Sequence, residues 1–126
     1  MKRCTDIKQS RMLANIFGIE NADMCYSIPY EEGDKPLLEQ GGFGSTPCWS
    51  LTALLDIIPQ EIFDGEYIIN ITEGSDNKWV LTYDHYENRN HSYYGLSTGA
   101  NNLVDACYNM ILKLHERNLL CCDYMG

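Results

Sequence analysis

The chain has 126 residues, of which 44% are hydrophobic and 21% charged, so a single globular domain spanning residues 1–126 is predicted. Its 18 acidic residues outnumber 9 basic ones, and the net charge of −9 argues against binding to nucleic acids or to an anionic membrane surface. No apolar run reaches the roughly 20 residues that a membrane-spanning helix needs, and the amino terminus lacks the apolar segment of a secretory signal, so the expected location is the cytoplasm.

The first predicted element is a helix over residues 7–17. Asp6 is its expected N-cap, Gln9 completes a capping box three residues later, and Gly18 supplies the left-handed residue that ends many helices. After it, residues 24–26 favour an extended segment, although the pattern of this region is ambiguous.

Residues 29–46 are rich in glycine, proline and acids and poor in aliphatic side chains. Loops of this length without secondary structure tend to be functional or mobile. The stretch therefore predicts a mobile acidic surface loop that contacts a partner through its carboxylates: Glu31, Glu32 and Asp34.

A second helix is expected over residues 49–58, with Ser50 as the N-cap and Pro59 ending it. Two strands with period-two alternation follow, around 67–72 and 79–83.

Placing Ile71 opposite Trp79 in this hairpin puts six bulky side chains on one face, namely Tyr67, Ile69, Ile71, Trp79, Leu81 and Tyr83. Residues 91–96 indicate a third strand.

The last helix is predicted over residues 103–117. Asn102 is its expected N-cap, and Asp105 places an acid where the helix dipole favours one. The resulting order ααβββα has no alternation of strand and helix, so a parallel sheet is not expected. We therefore predict an α+β domain with one three-stranded antiparallel sheet, helices two and three packed on one face, and helix one at its side.

Four segments together resemble a group of small uncharacterised proteins carried by phages and other mobile elements of gut bacteria. They are Gln9-Ser10…Leu13, Ala22-Asp23-Met24…Tyr26, Pro47-Cys48-Trp49-Ser50-Leu51-Thr52-Ala53-Leu54 and Asn102-Leu103-Val104-Asp105-Ala106…Met110-Ile111…Leu114-His115-Glu116. The resemblance excludes the 29–46 loop. It implies a small cytosolic protein of a mobile element and implies no activity for any residue.

Cys48 is the sharpest candidate for catalysis. A Cys-Trp step before a predicted helix is typical of papain-like peptidases, in which the helix dipole favours the thiolate. In that hypothesis His85 or His91 acts as the base. The six cysteines have no C-x-x-C spacing, so neither a zinc site nor another cofactor is predicted.

His85 and His91 flank a polar turn and could hold a metal together with Asp84 or Glu87, but two exposed histidines beside a hairpin are more often ordinary surface residues. Four tyrosines cluster near the same turn, and tyrosine is enriched at recognition surfaces. We expect this group to form a binding patch: Tyr83, Tyr86, Tyr93 and Tyr94.

Because no catalytic set is complete, the leading hypothesis is a non-enzymatic interaction protein or inhibitor that binds a partner with a basic surface. Two alternatives stay open, a cysteine hydrolase that depends on Cys48 and a protein that binds or sequesters a small ligand such as a nucleotide. The sequence leaves homo-oligomerisation open.

Overall fold

A computed structural model of the chain describes residues 2–26, 38–40 and 46–120. The chain divides into two compact units, one formed by Arg3–Ala53 and the other by Leu54–Gly126 together with Met1–Lys2. The single domain expected from the length stays a prediction. Among the described helices, none is both long enough and apolar enough to cross a membrane.

The unit Arg3–Ala53 contains one helix and one small antiparallel sheet. Its elements are α1 (Ile7–Phe17), β1 (Met24–Tyr26), β2 (Leu38–Gln40) and β3 (Thr46–Cys48). The strand order is β2-β1-β3, so β1 lies in the middle, and α1 packs against β3. The extended segment predicted at residues 24–26 is therefore confirmed as a strand.

Two strands correct the prediction of one long loop over residues 29–46. Leu38–Gln40 forms β2, which pairs with β1, and Thr46 already belongs to β3. The rest of that stretch, residues 29–37 and 41–45, lies outside the described residues.

Helix α1 has the ends that the sequence predicts. The Asp6 carboxylate accepts a hydrogen bond from Gln9 N at 2.7 Å, and the Gln9 side chain accepts one from Asp6 N at 3.0 Å. This reciprocal capping box satisfies backbone donors that the first turn leaves without helical partners. At the other end, Gly18 has a φ of 76° and its N–H donates to Ala14 O.

The other unit holds a four-stranded antiparallel sheet in the order β4-β5-β6-β7. Its elements are β4 (Glu61–Ile62), β5 (Tyr67–Glu73), β6 (Trp79–His85), β7 (Ser92–Ala100) and α3 (Leu103–Glu116), and the boundary between the units falls within α2 (Leu51–Ile57). Helix α3 packs against β6 and β7.

The α+β class is confirmed, but the predicted sheet is wrong. The described residues form sheets of three and four strands, not one sheet of three, and the observed order is αβββαββββα. The missed strands β2, β3 and β4 are only two or three residues long, so they contain too few residues to display the alternation that identifies a strand.

The β5–β6 hairpin differs from the predicted register by two residues. Ile71 lies opposite Leu81, and Trp79 lies opposite Glu73. Because side chains alternate faces with a period of two, a shift of two residues leaves the predicted inward set on one face. Leu81 and Tyr83 are fully buried there, whereas Ile71 at the outer end is 36% exposed.

Strand β7 runs four residues further than predicted at its carboxyl end and contains a bulge. Thr82 pairs with Ser97 and Asp84 with Ser92, so the single residue Tyr83 lies opposite residues 93–96 of β7. Within the bulge Gly95 has a φ of 86°, which a side chain disfavours.

Helix α3 is confirmed with its predicted cap, since Asn102 Oδ1 accepts from Asp105 N at 2.8 Å. Its inward stripe is fully or almost fully buried, and consists of Val104, Ala106, Cys107, Met110, Ile111 and Leu114. Lys2 Nζ donates to Asp105 Oδ1 at 2.7 Å.

Candidate functional site

Two neighbouring turns at one end of the four-stranded sheet form the walls of a surface cleft. The first turn joins β4 to β5, and the second leaves β6. Tyr86 N donates to Glu66 O at 3.0 Å, which fixes one turn to the other. The cleft measures about 540 Å³ and is lined by Asp64, Gly65, Glu66, His85, Tyr86 and Glu87.

The first turn has an unusual backbone, because Phe63, Asp64 and Gly65 all have positive φ values of 53°, 56° and 88°. Glu66 N donates to Phe63 O at 3.2 Å, so Asp64 and Gly65 occupy the centre of a tight hairpin turn. Asp-Gly is a favoured pair at that position. Phe63 is a bulky residue in a region that such residues rarely adopt, and strain of this kind is often found at functional sites.

Aromatic contacts hold Phe63 in this conformation. Its ring lies 5.1 Å from that of Tyr93 and 6.2 Å from that of Tyr67, measured between centroids. Tyr67 and Tyr93 also contact each other edge to face at 5.2 Å. Such pairs each contribute about 0.5–1.5 kcal/mol beyond the area that they bury. The cleft therefore stands beside a packed aromatic cluster.

His85 connects this cluster to the cleft. Its ring meets Tyr67 edge to face at 5.4 Å and stacks on Tyr86 at 4.9 Å. Glu87 N donates to His85 Nδ1 at 3.2 Å, so the neutral ring carries its hydrogen on Nε2. That atom lies 3.9 Å from Glu66 Oε1, which places an acceptor close to the donor side of the ring.

Three carboxyl groups give the cleft its charge, since Asp64, Glu66 and Glu87 all line it and all three residues are exposed. The Tyr86 hydroxyl donates to Glu87 Oε1 at 2.9 Å, and this hydrogen bond to a carboxylate raises the pKa of Tyr86. The Tyr86 side chain is 52% exposed, so its ring is accessible from solvent. An exposed aromatic ring beside carboxylates is suited to a cationic group, through charge pairing and contact with the ring face.

The four predicted binding tyrosines lie in different environments. Tyr86 lines the cleft, and Tyr93 is half-buried in the aromatic cluster. Tyr83 is fully buried, and its hydroxyl donates to Pro59 O at 2.6 Å, so the structure places it in the core and away from any recognition surface. For Tyr94 only the backbone, within β7, is described. The predicted acidic contacts Glu31, Glu32 and Asp34 lie outside the described residues.

The residues considered for a metal site do not come together. Asp84 is buried and accepts hydrogen bonds from Asn70 Nδ2 at 3.0 Å and from Ser92 Oγ at 2.7 Å. His91 lies beside the cluster, with its ring 6.4 Å from that of His85. Within the described part of the chain, no group of three or more His, Cys, Asp or Glu residues could hold a metal ion.

Cys48 belongs to the unit Arg3–Ala53 and lies there in a buried cluster with Cys4 and Met24, against which Tyr26 packs; we call this cluster the thiol core. The Tyr26 hydroxyl donates to Thr5 O at 2.9 Å, so it accepts from the Cys4 thiol, 3.3 Å away.

Burial, and after it the neighbouring Cys4 thiol, raises the pKa of Cys48 well above its ordinary value. A neutral, enclosed thiol is the opposite of the exposed thiolate that a nucleophile requires.

The helix also begins further from Cys48 than predicted, at Leu51 and not at residue 49, while Cys48 is the last residue of β3. Ala53 N donates to Ser50 Oγ at 3.2 Å. The expected cap at Ser50 is supported, and the cysteine lies outside the first turn. The two histidines that the hydrolase hypothesis offers as bases, His85 and His91, belong to the unit Leu54–Gly126, whereas Cys48 belongs to Arg3–Ala53.

Sequence reasoning missed the first wall of the cleft, which is formed by Asp64, Gly65 and Glu66. The signal was present, because Asp64-Gly65 between Ile62 and Tyr67 is a hairpin turn pair flanked by apolar residues. The residues before it, at 59–62, are too few to reveal a strand.

Comparison with protein-family models, with curated proteins and with solved structures finds no match to this chain. The resemblance to proteins of mobile elements stays a prediction.

Proposed function

We propose that the chain is a non-enzymatic protein-interaction module that binds a basic segment of a partner protein in the cleft between the two turns. The observation that carries the proposal is the combination of an exposed tyrosine ring and three carboxyl groups around one concavity. A lysine or arginine side chain entering there meets Glu66 and Glu87 and can lie against the ring of Tyr86.

Two further features support a cation as the bound group. The chain carries a net charge of −9, which attracts basic partners from solution. The same carboxylates repel phosphate groups, so this cleft suits a nucleotide poorly. In keeping with the resemblance, we propose that the partner is a protein of the host cytoplasm and that the module inhibits it.

The test is an NMR titration with a capped pentapeptide containing two arginines. We expect it to shift the backbone amide signals of Glu66, Tyr86 and Glu87, and to bind less tightly as salt rises because surface charge pairs are screened. A peptide of the same length with citrulline in place of arginine keeps the shape and removes the charge. It should bind at least roughly tenfold more weakly, a difference of about 1.4 kcal/mol.

The test variant carries both Glu66→Gln and Glu87→Gln, which remove two carboxylates from the cleft. The control variant is Glu73→Gln. Glu73 is an exposed acid at the far end of β5, so its loss removes charge without changing the cleft. The double variant should lose most of the binding and the control almost none. Equal affinity for the arginine and citrulline peptides, or equal loss in both variants, would contradict the proposal.

A further inference from the structure

A second groove lies along the outer edge of β7. Within the described residues β7 is the last strand of its sheet, paired only with β6. The groove measures about 440 Å³ and runs between this strand and one side of α3, and it is lined by Ser97, Thr98, Gly99, Asn109, Leu112, Lys113 and Glu116.

The backbone groups of β7 that point away from the sheet follow from the orientation of its neighbour, β6. At the end of β6, His85 N donates to His91 O on the β7 side, and the next residue, Tyr86, donates from its N–H to Glu66 O on the β5 side. Backbone groups in antiparallel strands alternate between the two neighbours, so Leu81, like His85, faces β7.

Leu81 lies opposite Thr98, and Trp79 lies opposite Ala100. Thr98 and Ala100 therefore use their backbone groups in the sheet. Ser97 and Gly99, both exposed, point their N–H and C=O groups outward.

This edge lacks the features with which proteins usually block strand pairing. Ser92–Ala100 contains no charged residue and no proline, although the bulge disrupts the first half of the strand. From Ser97 to Ala100 the pairing with β6 is regular and the side chains are small, so an incoming backbone can approach closely.

We infer that the outer edge of β7 at Ser97 and Gly99 binds an extended segment of another protein, which adds a fifth strand to the sheet. Main-chain hydrogen bonds supply affinity in this mode, and pockets for alternate side chains supply specificity. Side chains of the segment that point toward α3 meet the half-buried Leu112 beside the polar side chains of Asn109, Lys113 and Glu116. We expect an apolar residue at the one position that faces Leu112.

Charge decides between such a segment and a second copy of the chain. Two copies paired at this edge bring together two net charges of −9, which repel each other. The two charged residues that line the groove, Lys113 and Glu116, balance each other, so the centre of the segment is uncharged. Its basic flanks complement the net negative charge of the chain as a whole. This inference does not depend on the cleft of the proposed function.

The test selects binders to the full chain from a displayed library of random nonapeptides. Hydrogen exchange of the chain with each enriched peptide should show slower exchange of the Ser97 and Gly99 amides. Protection only of residues around Glu66, Tyr86 and Glu87 would overturn the inference and support the first proposal. Protection of Ser97 and Gly99 that grows with protein concentration, without peptide, would overturn it in favour of a second copy.

One position offers a matched pair of variants. Gly99→Pro removes an outward N–H that the sheet does not use, and proline is tolerated at such edge positions. Gly99→Ala keeps the N–H, and its added Cβ meets only ordinary contacts, 3.6 Å from Trp79 O.

We expect at least tenfold weaker peptide binding for the proline variant and less than twofold change for alanine. Ser97→Pro repeats the test at the other outward position, in case Gly99→Pro does not fold. Equal binding by the folded proline and alanine variants, or no enrichment of peptides over a Gly99→Pro target, overturns the inference.

Discussion

The thiol core around Cys48 and the cleft beside Tyr86 differ in the property that decides what their reactive groups can do. In the thiol core the reactive atoms are enclosed, and burial raises the pKa of Cys48. In the cleft the carboxyl groups and a tyrosine ring remain in contact with solvent. The residue type that suggests chemistry most strongly in the sequence therefore lies where solutes do not reach it.

The comparison also separates two uses of polar side chains. In the thiol core they satisfy each other, as Tyr26 does by donating to Thr5 O and accepting from Cys4. In the cleft the Glu87 carboxylate accepts from the Tyr86 hydroxyl, and both Glu66 and Glu87 remain exposed. A buried polar network specifies a fold, whereas an exposed one can exchange water for a ligand.

The largest expected effect is the protection of Cys48 from alkylation. In the native chain we expect iodoacetamide to label Cys48 at least roughly a hundredfold more slowly than in urea, because the thiol must first be uncovered, at a cost of about 2.8 kcal/mol or more. Peptide mapping by mass spectrometry resolves Cys48 from the other cysteines. Equal labelling rates with and without urea would restore the hypothesis of a nucleophilic thiol.

The second prediction contrasts two tyrosines of the same predicted patch. Tyr83→Phe should lower the free energy of unfolding by about 1–3 kcal/mol, because it leaves the Pro59 carbonyl without its donor. Tyr86→Phe removes an exposed hydroxyl and should change that free energy by less than about 0.5 kcal/mol. Urea denaturation of the two variants measures both values, and similar losses would mean that Tyr86 belongs to the core.

The smallest effect concerns alkaline pH. Burial raises the pKa of Cys107 from 9.0 to about 12, so above pH 9 the unfolded chain loses this proton before the folded chain does. The contribution of Cys107 to stability is therefore complete below pH 9 and falls as pH rises toward 12, by roughly 1 kcal/mol at pH 10.

Cys107→Ala should make the decline between pH 9 and pH 11 shallower when unfolding is measured with a reductant present. The same slope in both chains would show that Cys107 does not ionise on unfolding.

The helices could be predicted because residues close together in the sequence determine where each helix begins. Asp6 with Gln9, and Asn102 with Asp105, form caps within a single turn, and no tertiary information is needed to recognise them. The apolar stripe of α3 likewise follows from the spacing of residues along one helix.

The hairpin register could be predicted only up to a shift of two residues. Alternation determines which side chains share a face, and every even shift preserves it. The choice among even shifts depends on the loop, where Asp76 and Asn77 adopt positive φ and Gly74 N donates to Lys78 O at 2.7 Å. Nothing in the period of the strands contains that information.

Only one of the two walls of the cleft could be predicted from the sequence. Its residues His85, Tyr86 and Glu87 are contiguous and lie beside an evident turn, so the local pattern indicates them. Glu66 and Asp64 come from a different hairpin, and the hydrogen bond from Tyr86 N to Glu66 O that joins the two turns is a tertiary contact. Sites built from two turns need the sheet order before they can be assembled, and the sequence did not reveal β4.

The bulge in β7 has a consequence for solubility. An uncharged exposed edge strand can recruit identical strands and begin a cross-β fibril, and segments that do so are typically six or seven residues long. Here the displaced backbone of residues 93–96 interrupts the ladder, leaving Ser97–Ala100 as its regular part. Because this regular part is shorter than the segments that form cross-β stacks, we expect the bulge to limit aggregation at the edge of β7.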